Sequence, residues 1–137
     1  MYEKIMVPVD LAHVDKLEKA LETAADLSKH YKAAISYVGV TAAAPSEVAH
    51  NPKEFSEKLE RFAAEQGKKR GVKIEAKTMT SHDPARDLDD ALGEAIKELG
   101  ADLVVMASHV PTFADHVFSS NAGYLASHAN TSVFIVR

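Results

Sequence analysis

The chain has 137 residues, 46% hydrophobic and 26% charged, with a formal charge of -4 and no cysteine, which suits one domain over 1–137 built on a single core. A net acidic chain lacks the basic face that nucleic acids require, so neither DNA nor RNA is an expected partner, and disulfides, thiolate metal sites and cysteine nucleophiles are excluded. No apolar run approaches ~18 residues and the opening MYEKI carries no cationic-then-apolar signal, so neither a membrane span nor secretion is expected and the cytoplasm is the default location.

In chain order, Ile5-Met6-Val7 predicts a first strand, and Leu17, Leu21, Ala24, Leu27 and Tyr31 recur at helical spacing behind it. Ala34 to Val40 predicts a second strand. Thr41 to Pro52 is the one long connection, rich in small residues and proline, and reads as a surface excursion or a lid. Phe55, Leu59 and Phe62 mark a second helix, Val72 to Thr78 a third strand, and Leu88, Leu92, Ala95, Ile96 and Leu99 a third helix. Asp83-Pro84 supplies that helix with a cap and a first-turn proline. Leu103 to Met106 and Val133 to Val136 complete the strands, with a fourth helix expected from about Asn121 to His128 after the capping pair Ser119-Ser120.

Strands that alternate with helices imply right-handed crossovers and a mainly parallel sheet. The expected fold class is α/β: a single doubly wound domain of five strands, in the order 3-2-1-4-5, with four helices. Ligands of such sheets collect beyond the carboxyl ends of the strands where the order reverses, here between strands 1 and 4. That places Pro8-Val9-Asp10 beside Ala107-Ser108-His109. The strand, turn-rich segment and helix of residues 103–128 follow the layout of a phosphate-binding loop, but Ala107, Val110 and Ser119 stand where glycines are expected.

The stretches MYEKIMVPVD at 1–10, HDPA at 82–85, ELGADLVVMASH at 98–109 and HANTSVFIVR at 128–137 together resemble the bacterial universal stress proteins along essentially the whole chain. ASHVP and SSNAGYLASHA are most similar to the short F-type and G-type members. The resemblance implies a Rossmann-like domain, a dimer formed through the last strand at 132–137, and a role in stress tolerance rather than catalytic turnover. It also implies ATP or another adenine nucleotide as ligand, with or without Mg2+, and a protein partner that the sequence does not identify.

The family's phosphate phrase, G-x-x-G, nine residues, G-[S/T], falls with strict spacing on Ala107, Val110, Ser120 and Asn121; with a loop one residue shorter it ends on Ser119 and Ser120. Glycines there allow positive φ or close approach of N–H groups to phosphate oxygens. Val110 resists positive φ, and Pro111 confines it to extended geometry while removing a donor of its own. The resemblance assigns Asp10 to a ribose hydroxyl or the nucleotide's metal ion, the backbone of Val38 to the adenine edge, and Pro8 and Val9 to the border of base or sugar. Met106, Ala107, His109 and Val110 complete that wall, and Ser119, Ser120 and Asn121 face phosphate at a helix N-terminus. Each has a plainer reading: Val38 as core, Asp10, followed by Leu11-Ala12-His13, as the cap of the first helix, the serines as helix caps.

Other chemistry finds little support. His109, Asp115 and His116 lack the convergent spacing of a metal site, so no metal ligands are assigned. Ser108-His109 is adjacent in sequence without a nucleophile elbow, and the acidic Asp87, Asp89 and Asp90 suit an early helical turn. No Walker-type lysine or arginine finger is identifiable, so no catalytic residue is assigned and ATPase or phosphotransfer activity is expected to be weak at most. Two readings remain: an adenine-nucleotide-binding stress protein, and a nucleotide-independent dimeric scaffold whose loop has drifted.

Overall fold

Strands 2 to 4 each return to the sheet through a helix, so they can run the same way as the first. The computed structural model, which describes residues 1–108, 125 and 130–137, shows the elements β1 (Lys4–Pro8), a 3-10 turn (Leu11–Lys16), α1 (Glu18–Tyr31), β2 (Ala34–Ala42), α2 (Pro52–Arg70), β3 (Ile74–Ser81), α3 (Pro84–Leu99), β4 (Leu103–Ala107) and β5 (Ser132–Val136). The sheet order is β3-β2-β1-β4-β5, as expected. All four pairings are parallel, where the sequence predicted a mainly parallel sheet. Leu125 is helical and buried; the remainder of the expected fourth helix lies outside the described residues.

The core occupies both faces of the sheet, which accounts for the near-continuous apolar runs of β1 and β4. Alternate residues of β2 divide between those faces. The ring of Tyr37 packs against Phe62 of α2, 5.8 Å between centroids. Its neighbour Val38 is in register with Lys77 of β3, and Lys77 pairs with Glu98 of α3 on the other face. α1 and α2 meet where Glu18 binds Lys69 at 3.3 Å and Arg70 at 2.9 Å. The Arg70 hydrogen bond holds the Glu18 carboxyl below its ordinary range, with desolvation opposing it.

Local signals set the helix ends. Asn51 caps α2 by accepting from the Glu54 N–H at 2.8 Å, and Asp83 caps α3 through Arg86; both helices have proline in the first turn, and they end on Gly71 and Gly100 in the left-handed region. The close of α2 also explains why β3 starts two residues later than predicted. The N–H groups of Gly71 and Val72 both bond back to the Gly67 carbonyl, so Val72 belongs to the helix end. The long connection is shorter than expected because β2 runs to Ala42. What remains is fastened down, with Ser46 N–H on the Ala49 carbonyl at 2.8 Å and Lys58 Nζ on the Val48 carbonyl.

Candidate functional site

The ladder between β1 and β4 ends early at the predicted switch point, and proline accounts for it. Pairing of β1 with β2 continues to Pro8↔Val38, and that of β4 with β5 to Ala107↔Val136, but β1 and β4 pair only at Ile5↔Leu103 and Met6↔Val104. In a parallel ladder alternate residues direct their backbone groups to opposite neighbours. The Lys4 carbonyl accepts from Asp102 on the β4 side at 3.0 Å, and the Val9 N–H donates to Val38 on the β2 side at 2.8 Å. Pro8 therefore faces β4, and it has no N–H to offer. The ladder between β1 and β4 stops where that donor is missing, so Val9-Asp10 and Met106-Ala107 lie beyond the last paired residues of the two strands.

Asp10 follows directly beyond the end of β1, with its side chain 22% exposed. The backbone there is extended, φ -99° and ψ 104°, and the carboxylate turns back on the chain that follows. Its Oδ1 accepts the Ala12 N–H at 3.0 Å, and its Oδ2 lies 2.9 Å from Nδ1 of His13. The expected cap is real, although it caps a 3-10 turn in front of α1 rather than α1 itself. His13 departs from helical geometry within that turn, at φ -136° and ψ 43°, and its ring thereby reaches the carboxylate.

On the outer side of the same turn, Leu11, Ala12 and Val14 form one wall of an open cavity of about 680 Å³. Glu47 and Val48 of the long connection close one end, and Lys58, Arg61, Phe62 and Glu65 of α2 form the opposite wall. This is the size of a small-molecule pocket. Its two cations and two anions balance, so its selectivity lies in placement rather than net charge. Lys58 is held by Glu54 at 3.4 Å, whereas Arg61 is exposed and makes no ion pair among the described residues.

The structure places Pro8, Val9 and Asp10 at the carboxyl end of β1, Val38 in the middle of β2 in register with Pro8, and Met106 and Ala107 at the carboxyl end of β4. Val38 is buried and its carbonyl is already engaged by Val9, so the plain reading as a core residue holds whatever else its backbone does. His109, Val110, Ser119, Ser120 and Asn121, with Asp115 and His116, lie outside the described residues. Among the described residues no group of three or more His, Asp or Glu converges as a metal site would require. Sequence reasoning missed His13 as a partner of Asp10; the signal was an Asp-x-x-His spacing at a turn. It also missed the cavity wall, which the i, i+3, i+4, i+7 series of Lys58, Arg61, Phe62 and Glu65 puts on one side of α2.

Residues 1–137 match the profile of the Universal stress protein family. Universal stress protein G of Shigella flexneri is 31% identical over 152 aligned positions, which cover 100% of both chains. Among solved structures, a universal stress protein in complex with cAMP matches at a TM-score of 0.71 and 22% identity, over 99% of this chain and 97% of that one. A second, from Archaeoglobus fulgidus in complex with dAMP, matches at a TM-score of 0.69 and 19% identity, over 99% and 98%. At those identities the structures speak for the fold, and the sequence matches speak for descent. The chain belongs to the universal stress protein family.

Proposed function

We propose that the switch point between β1 and β4 binds an adenine nucleotide, with a regulatory rather than catalytic consequence. The observation that carries this reading is the β1–β4 ladder ended at Pro8, with a fixed, partly exposed carboxylate two residues beyond it. Asp10 accepts from ribose hydroxyls or lies near the ion of a bound Mg2+–nucleotide. Pro8 and Val9 border the sugar or base, the Val38 backbone lies at the adenine edge, and Met106 and Ala107 form the facing wall. His109 and Val110 continue that wall, and Ser119, Ser120 and Asn121 face the phosphates. Relatives of the same fold have been solved with cAMP and with dAMP, which supports an adenine ligand here. Among the described residues no helix is long and apolar enough to cross a membrane, in keeping with a protein working in the cytoplasm.

In this reading, occupancy alters the surface shown to a protein partner during stress. The chain acts as a homodimer through residues 132–137. Phe134 and Ile135 of the edge strand β5 are 45% and 41% exposed, whereas the opposite edge, β3, carries Glu75 and Lys77. Charged residues guard an edge against pairing and apolar ones invite it. That exposed apolar edge also favours a second reading, a dimeric scaffold that needs no nucleotide. Mass spectrometry of small molecules released from freshly purified protein separates the two. Stoichiometric AMP, ADP or ATP supports the first; protein free of nucleotide that also takes up none when supplied with it supports the second.

A further inference from the structure

We infer that His13 is a positioning residue for the nucleotide's ribose: it fixes the Asp10 carboxylate so that binding discriminates by the ribose hydroxyls. The inference rests on the nucleotide reading and adds to it the residue that sets sugar selectivity. A free aspartate rotates about its terminal bond and presents its acceptors in many directions. Here both oxygens are fixed from one side, Oδ1 by the Ala12 N–H at 3.0 Å and Oδ2 by the His13 ring at 2.9 Å. A carboxylate has about four lone-pair sites, so two remain, and they are held in one orientation.

The local fold is arranged for this contact. The His13 N–H bonds to the Asp10 carbonyl at 3.0 Å, which closes the turn. The residue then leaves 3-10 geometry, and this carries the imidazole back over the carboxylate. Because a carboxylate only accepts, Nδ1 must carry the hydrogen. The ring and the carboxylate are 25% and 22% exposed, a depth at which water reaches the pair without dissolving it. The 2′ and 3′ hydroxyls of a ribose are donors, and a fixed pair of acceptors meets them with little further loss of freedom.

Titration calorimetry of the full chain tests this with AMP and 2′,3′-dideoxy-AMP, on the unmodified protein and on His13→Leu and His13→Asn. Removal of the partner that orients a metal-ligating side chain costs about tenfold or more in affinity, and the same order is expected for a carboxylate oriented towards ribose hydroxyls. His13→Leu is therefore expected to lose about tenfold for AMP while its affinity for dideoxy-AMP is unchanged. His13→Asn, whose amide donates from nearly the same place, restores most of the loss. An unchanged AMP to dideoxy-AMP ratio in His13→Leu overturns the inference, as does equal weakening of both ligands, the mark of a merely structural role. Either result leaves the nucleotide reading standing, whereas no binding of AMP by the unmodified protein overturns both.

Discussion

Replacing Tyr37 with phenylalanine should make the protein more stable, and the gain should grow with pH. The Tyr37 side chain is fully buried under α2, and its hydroxyl has no hydrogen-bond partner among the described residues. The Arg70 guanidinium opposes the effect of burial both as a charge and as a hydrogen-bonding neighbour of the hydroxyl, but its well-formed bonds go to Gln66 and Glu18, each at 2.9 Å, and none of good geometry reaches Tyr37. A buried, unpaired hydroxyl costs roughly 1–3 kcal/mol, and Phe keeps the ring that packs against Phe62. Tyr37→Phe is therefore expected to gain about 1 kcal/mol at pH 8. Burial also pushes the Tyr37 pKa up to about 12 from 10.0. Above pH 10 the unfolded chain releases this proton while the folded chain retains it, so stability is lost as pH rises from 10 towards 12. With one pK unit worth about 1.4 kcal/mol, the loss at pH 11 is about 1.4 kcal/mol, and Tyr37→Phe escapes it. Urea unfolding of both proteins at pH 8 and pH 11 gives the two differences. Destabilisation of the variant at pH 8, or an equal decline of both proteins with pH, would refute the reasoning.

Other expectations follow from the same geometry. Asp10→Ala should lower nucleotide affinity while costing only about 1 kcal/mol of stability, the usual worth of a lost cap, as read by calorimetry and thermal melting; equal binding by both proteins contradicts the assigned role. Ile135→Pro should break the dimer and leave the subunit folded. Val136 and Ser132 bond to the β4 side, so the alternating Ile135 N–H points out from the open edge, and light scattering reports the change. A folded monomer of the unmodified chain at micromolar concentration sinks the assembly proposal. Gly67→Ala should destabilise by roughly 1–3 kcal/mol, although alanine normally favours a helix, because its Cβ would sit 2.7 Å from the Val72 carbonyl oxygen. A gain in melting temperature would show that the end of α2 yields freely.

The sheet order and the point where it reverses were legible because strong local signals fixed them. Apolar runs alternated with helical stripes, capping pairs stood at Asn51-Pro52 and Asp83-Pro84, and Pro8 preceded Val9-Asp10 at the reversal of strand order. What pairing adds is the reason Pro8 matters: whether its missing N–H faces β2 or β4 depends on register, which a single strand does not reveal. The Leu11–Lys16 turn was not legible, since six residues carry no period and His13 takes its geometry from its bond to Asp10. Phe62 has the spacing of a buried stripe with Phe55 and Leu59, but it is only half-buried and lines the cavity between α2 and the turn. The start of β3 was misplaced because the helix end took up Val72, a residue whose branched side chain favours a strand.

The central claim, that the switch point between β1 and β4 takes an adenine nucleotide, is tested most directly by calorimetric titration of the unmodified, nucleotide-stripped protein with AMP, ADP and ATP. The sequence places valine at 110 and proline at 111, residues that disfavour the backbone geometry of a triphosphate loop, so the adenosine end is expected to supply most of the binding. All three ligands should bind with affinities within about tenfold of each other, or ~1.4 kcal/mol. Absence of binding by all three would contradict the account and leave the dimeric scaffold as the reading of this chain.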